Sequence, residues 1–171
     1  MLFNITKFNN LKNRSNLEFN VLNIGLHVDG AEPADGIRAQ VDRTVAALID
    51  AVSGHDMVVD HFELVEPENG DEPFLIVRTV SEVFRGFLWQ NIANDFCKRV
   101  EQDCFGVVRR KVRQNRSGFV EVYGEQSALV GPKADQWGEF NPEFFTDSPF
   151  WVNPVGQQIA LVDLWEIKKE G

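Results

Sequence analysis

The sequence predicts an α+β fold: a ferredoxin-like βαββαβ core with sheet order 5-4-1-3-2, and an aromatic-rich C-terminal extension covering the sheet's second face. Three observations lead there. Apolar spacing between Val21 and Val112 alternates between strand-like and helix-like periods in the order strand, helix, strand, strand, helix, strand. A turn-forming stretch with Asn69-Gly70 at its centre joins the second and third strand-like runs. Two strand-like runs, Phe74-Leu75-Ile76-Val77 and Phe105-Gly106-Val107-Val108, are apolar on both parities, as strands are when both sheet faces are covered.

Taken in order, residues 1–20 hold Asn4, Asn9, Asn10, Asn13, Asn16 and Asn20 among scattered apolar positions, which fits an irregular arm or a short edge strand. Leu22, Ile24, Leu26 and Val28 alternate with Asn23, Gly25 and His27, predicting a first strand over Val21–Val28. Ile37, Val41, Val45, Leu48 and Val52 recur at helical spacing, with Asp35 as cap and Ser53-Gly54 as stop, predicting a helix over Asp35–Val52. Met57–Glu66 and Phe74–Val80 read as a hairpin pair. Phe84, Phe87, Leu88, Ile92, Phe96 and Val100 predict a second helix capped by Ser81. Strands follow at Cys104–Val112 and Phe119–Tyr123, and Ile159, Leu161 and Trp165 suggest one more, although Asp163 shares their parity. The organisation expected is an arm (1–20) and one domain (21–171), divided into a core (21–124) and a C-terminal cover (125–171).

Two helices on one side of a sheet leave its other side to be filled. The nearest supply is the C-terminal third, with Trp137, Phe140, Phe144, Phe145, Phe150, Trp151 and Trp165. A dimer with stacked sheets is the competing way to bury that face.

With 171 residues, 43% of them hydrophobic, one compact core is expected. The net charge of −9 disfavours loose attachment to nucleic acid or an anionic membrane and favours a basic protein partner, met as monomer or homodimer. Only Cys97 and Cys104 occur, no apolar-leader pattern opens the chain, and no apolar run approaches the ~20 residues that span a bilayer, so a cytoplasmic setting is expected.

Chemistry-bearing residues are few. His27 and Asp29 with His61 and Glu63 have metal-ligand character, but the third strand would separate the two pairs, and no metal is expected. His55 falls in a helix-to-strand loop. Cys104 is a candidate nucleophile or, more simply, core filling, and Cys97 lies on an apolar helix face. No phosphate-binding glycine loop, nucleophile elbow or paired-cysteine knuckle occurs, so the reading leans away from an enzyme and names no cofactor. Charge is the stronger signal. An acidic tip is expected at Glu63, Glu66, Glu68, Asp71 and Glu72, with Asp29 and Glu32 near it. A basic tip is expected at Arg109, Arg110, Lys111, Arg113 and Arg116, at the opposite end of the sheet. The bland alternative is a pair of solvated turns. Base stacking on the sheet would have only Phe105 as a candidate.

The blocks Glu72-Pro73-Phe74-Leu75-Ile76-Val77, Gln102-Asp103-Cys104-Phe105-Gly106-Val107, Gly131-Pro132 and Trp137-Gly138-Glu139-Phe140-Asn141-Pro142-Glu143-Phe144-Phe145 resemble small proteins encoded by bacterial phages and other mobile elements, across residues 21–146. That resemblance implies a genomic setting and no particular mechanism. The functional expectation is a non-enzymatic accessory protein that binds a host or phage protein. It extends to inhibition of a nucleic-acid-processing defence complex, with Glu66, Glu68, Asp71 and Glu72 standing in for phosphates. The alternatives are a small enzyme using Cys104 or His27 in a pocket shared with Arg78, and weak nucleic-acid binding through Arg109–Arg116.

Overall fold

A computed structural model describes residues 10–11, 14–26, 34–66, 68, 72–83, 88–114, 119–137 and 158–160. Its elements are β1 (Asn16–Gly25), α1 (Ala34–Val52), β2 (Met57–Val65), β3 (Phe74–Ser81), α2 (Leu88–Val100), β4 (Phe105–Gln114), β5 (Phe119–Val130), a single 3-10 turn (Ala134–Gln136) and β6 (Gln158–Ala160). The fold is α+β: two helices and one six-stranded antiparallel sheet in the order β2-β3-β1-β4-β5-β6.

Alternation along each strand sorts the side chains onto two faces. Leu22 and Ile24 of β1, Leu75 and Val77 of β3, and Phe105 and Val107 of β4 share the face that packs under the helices. Val41, Val45, Leu48 and Val52 descend from α1, and Trp89, Ile92 and Phe96 from α2. Phe105 sits edge-on to both aromatic rings, with centroids 6.3 Å from Trp89 and 5.5 Å from Phe96. Burying each such side chain contributes about 1.5–3 kcal/mol.

The second face is also dry. Leu17, Phe19 and Val21 of β1, Ile76 and Val80 of β3, and Val108 and Val112 of β4 are all buried on it. The aromatics expected to cover this face, Phe140, Phe144, Phe145, Phe150, Trp151 and Trp165, lie outside the described residues. Trp137 does not take that role, being 57% exposed. The short β6 lies at the β5 edge, where Ile159 pairs with Val120. Leu161 and Trp165 lie outside the described residues.

Three elements differ from the sequence reading. β1 begins at Asn16, so Asn16–Asn20 belong to the central strand and not to an arm. Asparagine is a poor strand former by propensity, but here tertiary pairing decides: Leu17 and Phe19 fill the second face, and Asn20 donates from Nδ2 to Ser81 Oγ at 3.4 Å. Arg14 fastens the approach to β1 through Glu82 at 2.7 Å and Asp56 at 3.4 Å. Ser81 closes β3, buried, and caps no helix; α2 is described from Leu88. β5 runs to Val130, seven residues beyond Tyr123, because it pairs with β4 over its whole length with an irregularity at Lys111/Val112. Residues 125–130 are therefore sheet.

Beyond β5, Gly131 adopts φ 135°, and a Cβ there would lie 2.7 Å from Cys104 Cα and 2.8 Å from the Asp103 carbonyl oxygen. The Gln90 carboxamide brackets this peptide: Nε2 donates to the Gly131 carbonyl at 2.8 Å, and Oε1 accepts from its N–H at 3.4 Å. The Lys133 N–H donates to the Asp103 carbonyl at 2.9 Å. Thus α2, the α2–β4 connection and the end of β5 meet where no side chain fits. Gly131→Ala should lower stability by about 3 kcal/mol, or ~6–12 °C in Tm. Gly54→Ala, where a Cβ meets nothing within 4 Å, is the control and should stay within about 2 °C. Thermal and urea unfolding check this, and equal values for the two variants would contradict it.

Candidate functional site

The two ends of the sheet differ in chemistry because the register puts different connections there. At one end lie the close of β1 at Gly25, the β2–β3 turn, the α2–β4 connection and the close of β5. At the other lie the start of β1, the close of β3 and the β4–β5 turn.

Glu66, Glu68 and Glu72 are exposed at the first end, and Glu63 is exposed on β2 opposite Ile76. Asp71, Asp29 and Glu32 lie outside the described residues. The hairpin is tied to β1 where the Leu26 N–H donates to the Pro73 carbonyl at 3.0 Å. Next to it is a groove of about 580 Å³ lined by residues that include Glu72, Glu101, Asp103, Leu129 and Trp137.

Local backbone chemistry shapes this groove. α2 ends with Glu101 in the left-handed region at φ 57°, and the Gln102 N–H returns to the Cys97 carbonyl at 2.9 Å, the six-to-one bond of a Schellman close. The Gln102 side chain then donates to the Gly25 carbonyl, holding the end of β1 against the connection. Trp137 Nε1 donates to Asp103 Oδ2 at 3.3 Å, and Lys133 Nζ lies 3.6 Å from Asp103 Oδ1. The Trp137 indole is 57% exposed.

Cys104 lines the same groove but is poorly set up as a nucleophile. Burial, and then the neighbouring Asp103 carboxylate, push its thiol above the usual range. Cys97 is pushed up to about 12 by burial, then by Cys104 and Asp103. The pocket that would unite His27, Arg78 and Cys104 is not formed by the residues described. Arg78 lies on the second face opposite Val21 and His61, its guanidinium 5.3 Å from the Phe19 ring centre. Val21 in turn pairs with Val108, four residues along β4 from Cys104. His27 lies outside the described residues.

The expected basic tip is largely consumed by internal pairing. Arg109 belongs to the body of β4 and holds buried Glu18 with two bonds, Nη2 to Oε1 at 2.7 Å and Nε to Oε2 at 3.3 Å. Arg110 points to the second face and meets Glu125 at 2.8 Å; burial pulls its guanidinium below the usual value, and Glu125 opposes that. Lys111 is half-buried, and exposed Arg113 lies 4.6 Å over the Tyr123 ring. Arg116 lies outside the described residues.

A second polar group, missed in the sequence, sits on the helix-facing side of the sheet: Glu18, Asn20, Thr79, Ser81 and Arg109. Asn20 Oδ1 and Thr79 Oγ1, paired across the register, are buried with no hydrogen-bond partner among the described residues. The available signal was parity: Glu18 and Asn20 continue the Leu22 and Ile24 face, and Thr79 and Ser81 continue that of Val77.

No family model, no curated protein and no solved structure matches the chain. Among the described residues no three His, Cys, Asp or Glu side chains stand together to hold a metal ion, and no helix is long and apolar enough to cross a membrane.

The raised thiols give a pH signature. Iodoacetamide modification of Cys104, followed by mass spectrometry, should be slower at pH 7 than for an unperturbed thiol near pKa 8.5, and should climb about tenfold per unit up to pH 9. Cys97 should lag behind it throughout. A rate already flat below pH 7 would mean a stabilised thiolate and would revive the nucleophile.

Proposed function

We propose that the chain is a non-enzymatic accessory protein of a phage or other mobile element, built on a ferredoxin-like core whose second face is sealed by its aromatic-rich end. It acts in the host cytoplasm, as monomer or homodimer, by binding a protein partner through the acidic end of its sheet. The observation that carries this reading is the concentration of Glu63, Glu66, Glu68 and Glu72 at exposed positions around one end, beside a groove whose lining includes Glu72, Glu101 and Asp103. Two further facts support it. Arg109 and Arg110, which a nucleic-acid surface would use, are spent on Glu18 and Glu125. The Cys104 thiol, which an enzyme would use, is shifted away from the reactive thiolate.

The partner chemistry that fits is a basic surface. A cluster of carboxylates on a hairpin can occupy a groove that ordinarily holds phosphates, so a nucleic-acid-processing defence complex is the reading's most specific form. Such an interface is steered by charge and weakens with salt.

The test is affinity capture from bacterial host lysate by the tagged protein, in parallel with a Glu63→Gln, Glu66→Gln, Glu68→Gln, Glu72→Gln variant. We expect partners that the wild type retains at low salt, that the variant loses at least about tenfold, and that added DNA or RNA displaces. Identical capture by both proteins would refute the acidic end as the working surface.

A further inference from the structure

We propose that the outer edge of β5 pairs with the same edge of a second copy of this chain, antiparallel and two-fold symmetric about Ser127, joining two sheets into one. The interface uses none of the carboxylates of the acidic end and does not depend on that end binding a partner.

The ladder leaves this edge open. β5 pairs with β4 as far as Val130, but its other side pairs, among the described residues, only at Phe119, Val120 and Glu121, against β6. Beyond them Tyr123 and residues 125–128 are exposed, and Gly124 and Leu129 are half-buried. That exposure separates the edge from the sheet's second face, where Phe19, Val21 and Val108 are already dry. A strand edge in solvent presents a row of unpaired N–H and C=O groups, usually guarded by lysine, proline, inward charge or a bulge. Between Gly124 and Val130 there is no Lys and no Pro. The irregularity in the β4 register falls just before that stretch, at Lys111/Val112, and leaves Tyr123 without a β4 partner. The polar side chains of the stretch serve the chain itself: Glu125 meets Arg110 at 2.8 Å, and Gln126 Oε1 accepts from Arg109 Nη1 at 3.5 Å. The edge therefore has backbone to offer, and a second strand is what completes backbone.

Length and charge select a second copy as that strand. The regular stretch begins at Gly124, just past the irregularity, and ends at Val130, just before Gly131 turns the chain at φ 135°. Its midpoint is Ser127. Antiparallel pairing about this point sets Gly124 against Val130, Glu125 against Leu129, Gln126 against Ala128 and Ser127 against itself, so the same stretch is used in full by both copies. Glu125 is the only charged residue in it, already offset by Arg110, and in this register it faces no other carboxylate. An axis at Glu125 would instead place two carboxylates directly opposite, which is unfavourable. One strand seam falls below the ~1,200 Å² of a standard interface, so the pair should be a weak one, with a dissociation constant of about 100 µM.

The experiment is sedimentation equilibrium of the full chain from about 5 µM to 1 mM, for wild type, Ser127→Lys, Ser127→Glu and an equal mixture of the two variants. Ser127 is an exposed position, and only at the axis does a residue face its own copy. We expect wild type to follow a monomer–dimer equilibrium. Each variant alone should associate at least about tenfold more weakly, because like charges oppose across the axis. The mixture should regain at least the wild-type affinity, a recovery that unfolded variants could not show. Wild type that stays monomeric to about 1 mM overturns the proposal. So does association equally tight in both single variants, or a mixture no tighter than its components. Lysate capture by the acidic end is read separately, so either surface can fail while the other stands.

Discussion

Strand β1 carries hydrogen-bonded ladders on both edges, to β3 across Glu18–Gly25 and to β4 across Asn16–Asn23, and those two registers place everything else. With no free edge and both faces buried, each of its side chains has to suit the layer it enters. Leu22 and Ile24 enter the core beneath α1 and α2; Leu17, Phe19 and Val21 enter the second face. A slip of one residue would exchange the two sets, putting Glu18 and Asn20 among apolar neighbours on the wrong side. The same registers bring Gly25, Phe105 and the close of β5 to one end of the sheet, where the groove forms.

The two ends of the sheet thus differ in chemistry. Toward the β4–β5 end, Arg109 and Arg110 of β4 are paired internally, with Glu18 and Glu125. The Glu18–Arg109 pair is buried, and removing either member would leave an uncompensated charge costing about 3–5 kcal/mol, although a well-packed apolar replacement of both need cost nothing. Asn20 and Ser81 make a further buried polar contact on the same face. At the opposite end, charge is turned outward on the hairpin, with the Gly131 contact and the Gln90 bracket holding the connections in place. The described residues thus place exposed carboxylates and the exposed Trp137 indole at one end of the sheet.

Much of this was legible in the residues themselves. The alternation around Leu22 and Ile24, the helical recurrence from Ile37 to Val52, and Asn69-Gly70 between two strand-like runs each point to the right element, because local patterning and tertiary burial agree there. What was not legible depends on partners far away in sequence. Asn16–Asn20 looks like an irregular arm until Arg109 and Ser81 are opposite it. Ser81 has the composition of a helix cap but completes a strand. Gly124–Leu129 carries too little apolar pattern to announce itself, yet β4 pairs with it to the end. The candidate site was half visible: the acids of the hairpin stood out as a cluster. The contributions of Glu101, Asp103 and Trp137 depend on a helix close and a side-chain hydrogen bond that no spacing encodes. Arg109 and Arg110 looked like a binding patch because sequence adjacency hides that neighbouring strand residues face opposite ways.

The most direct test is native-state hydrogen exchange along β1, resolved by residue. If Asn16–Asn20 form the first half of a doubly paired central strand, the amides of Leu17, Phe19 and Val21 should exchange as slowly as those of Leu22 and Ile24, through global unfolding only. Fast exchange confined to Asn16–Asn20, with Leu22 and Ile24 still protected, would return that segment to a loose arm and remove the register on which the groove, the buried ion pair and the two-ended sheet all depend.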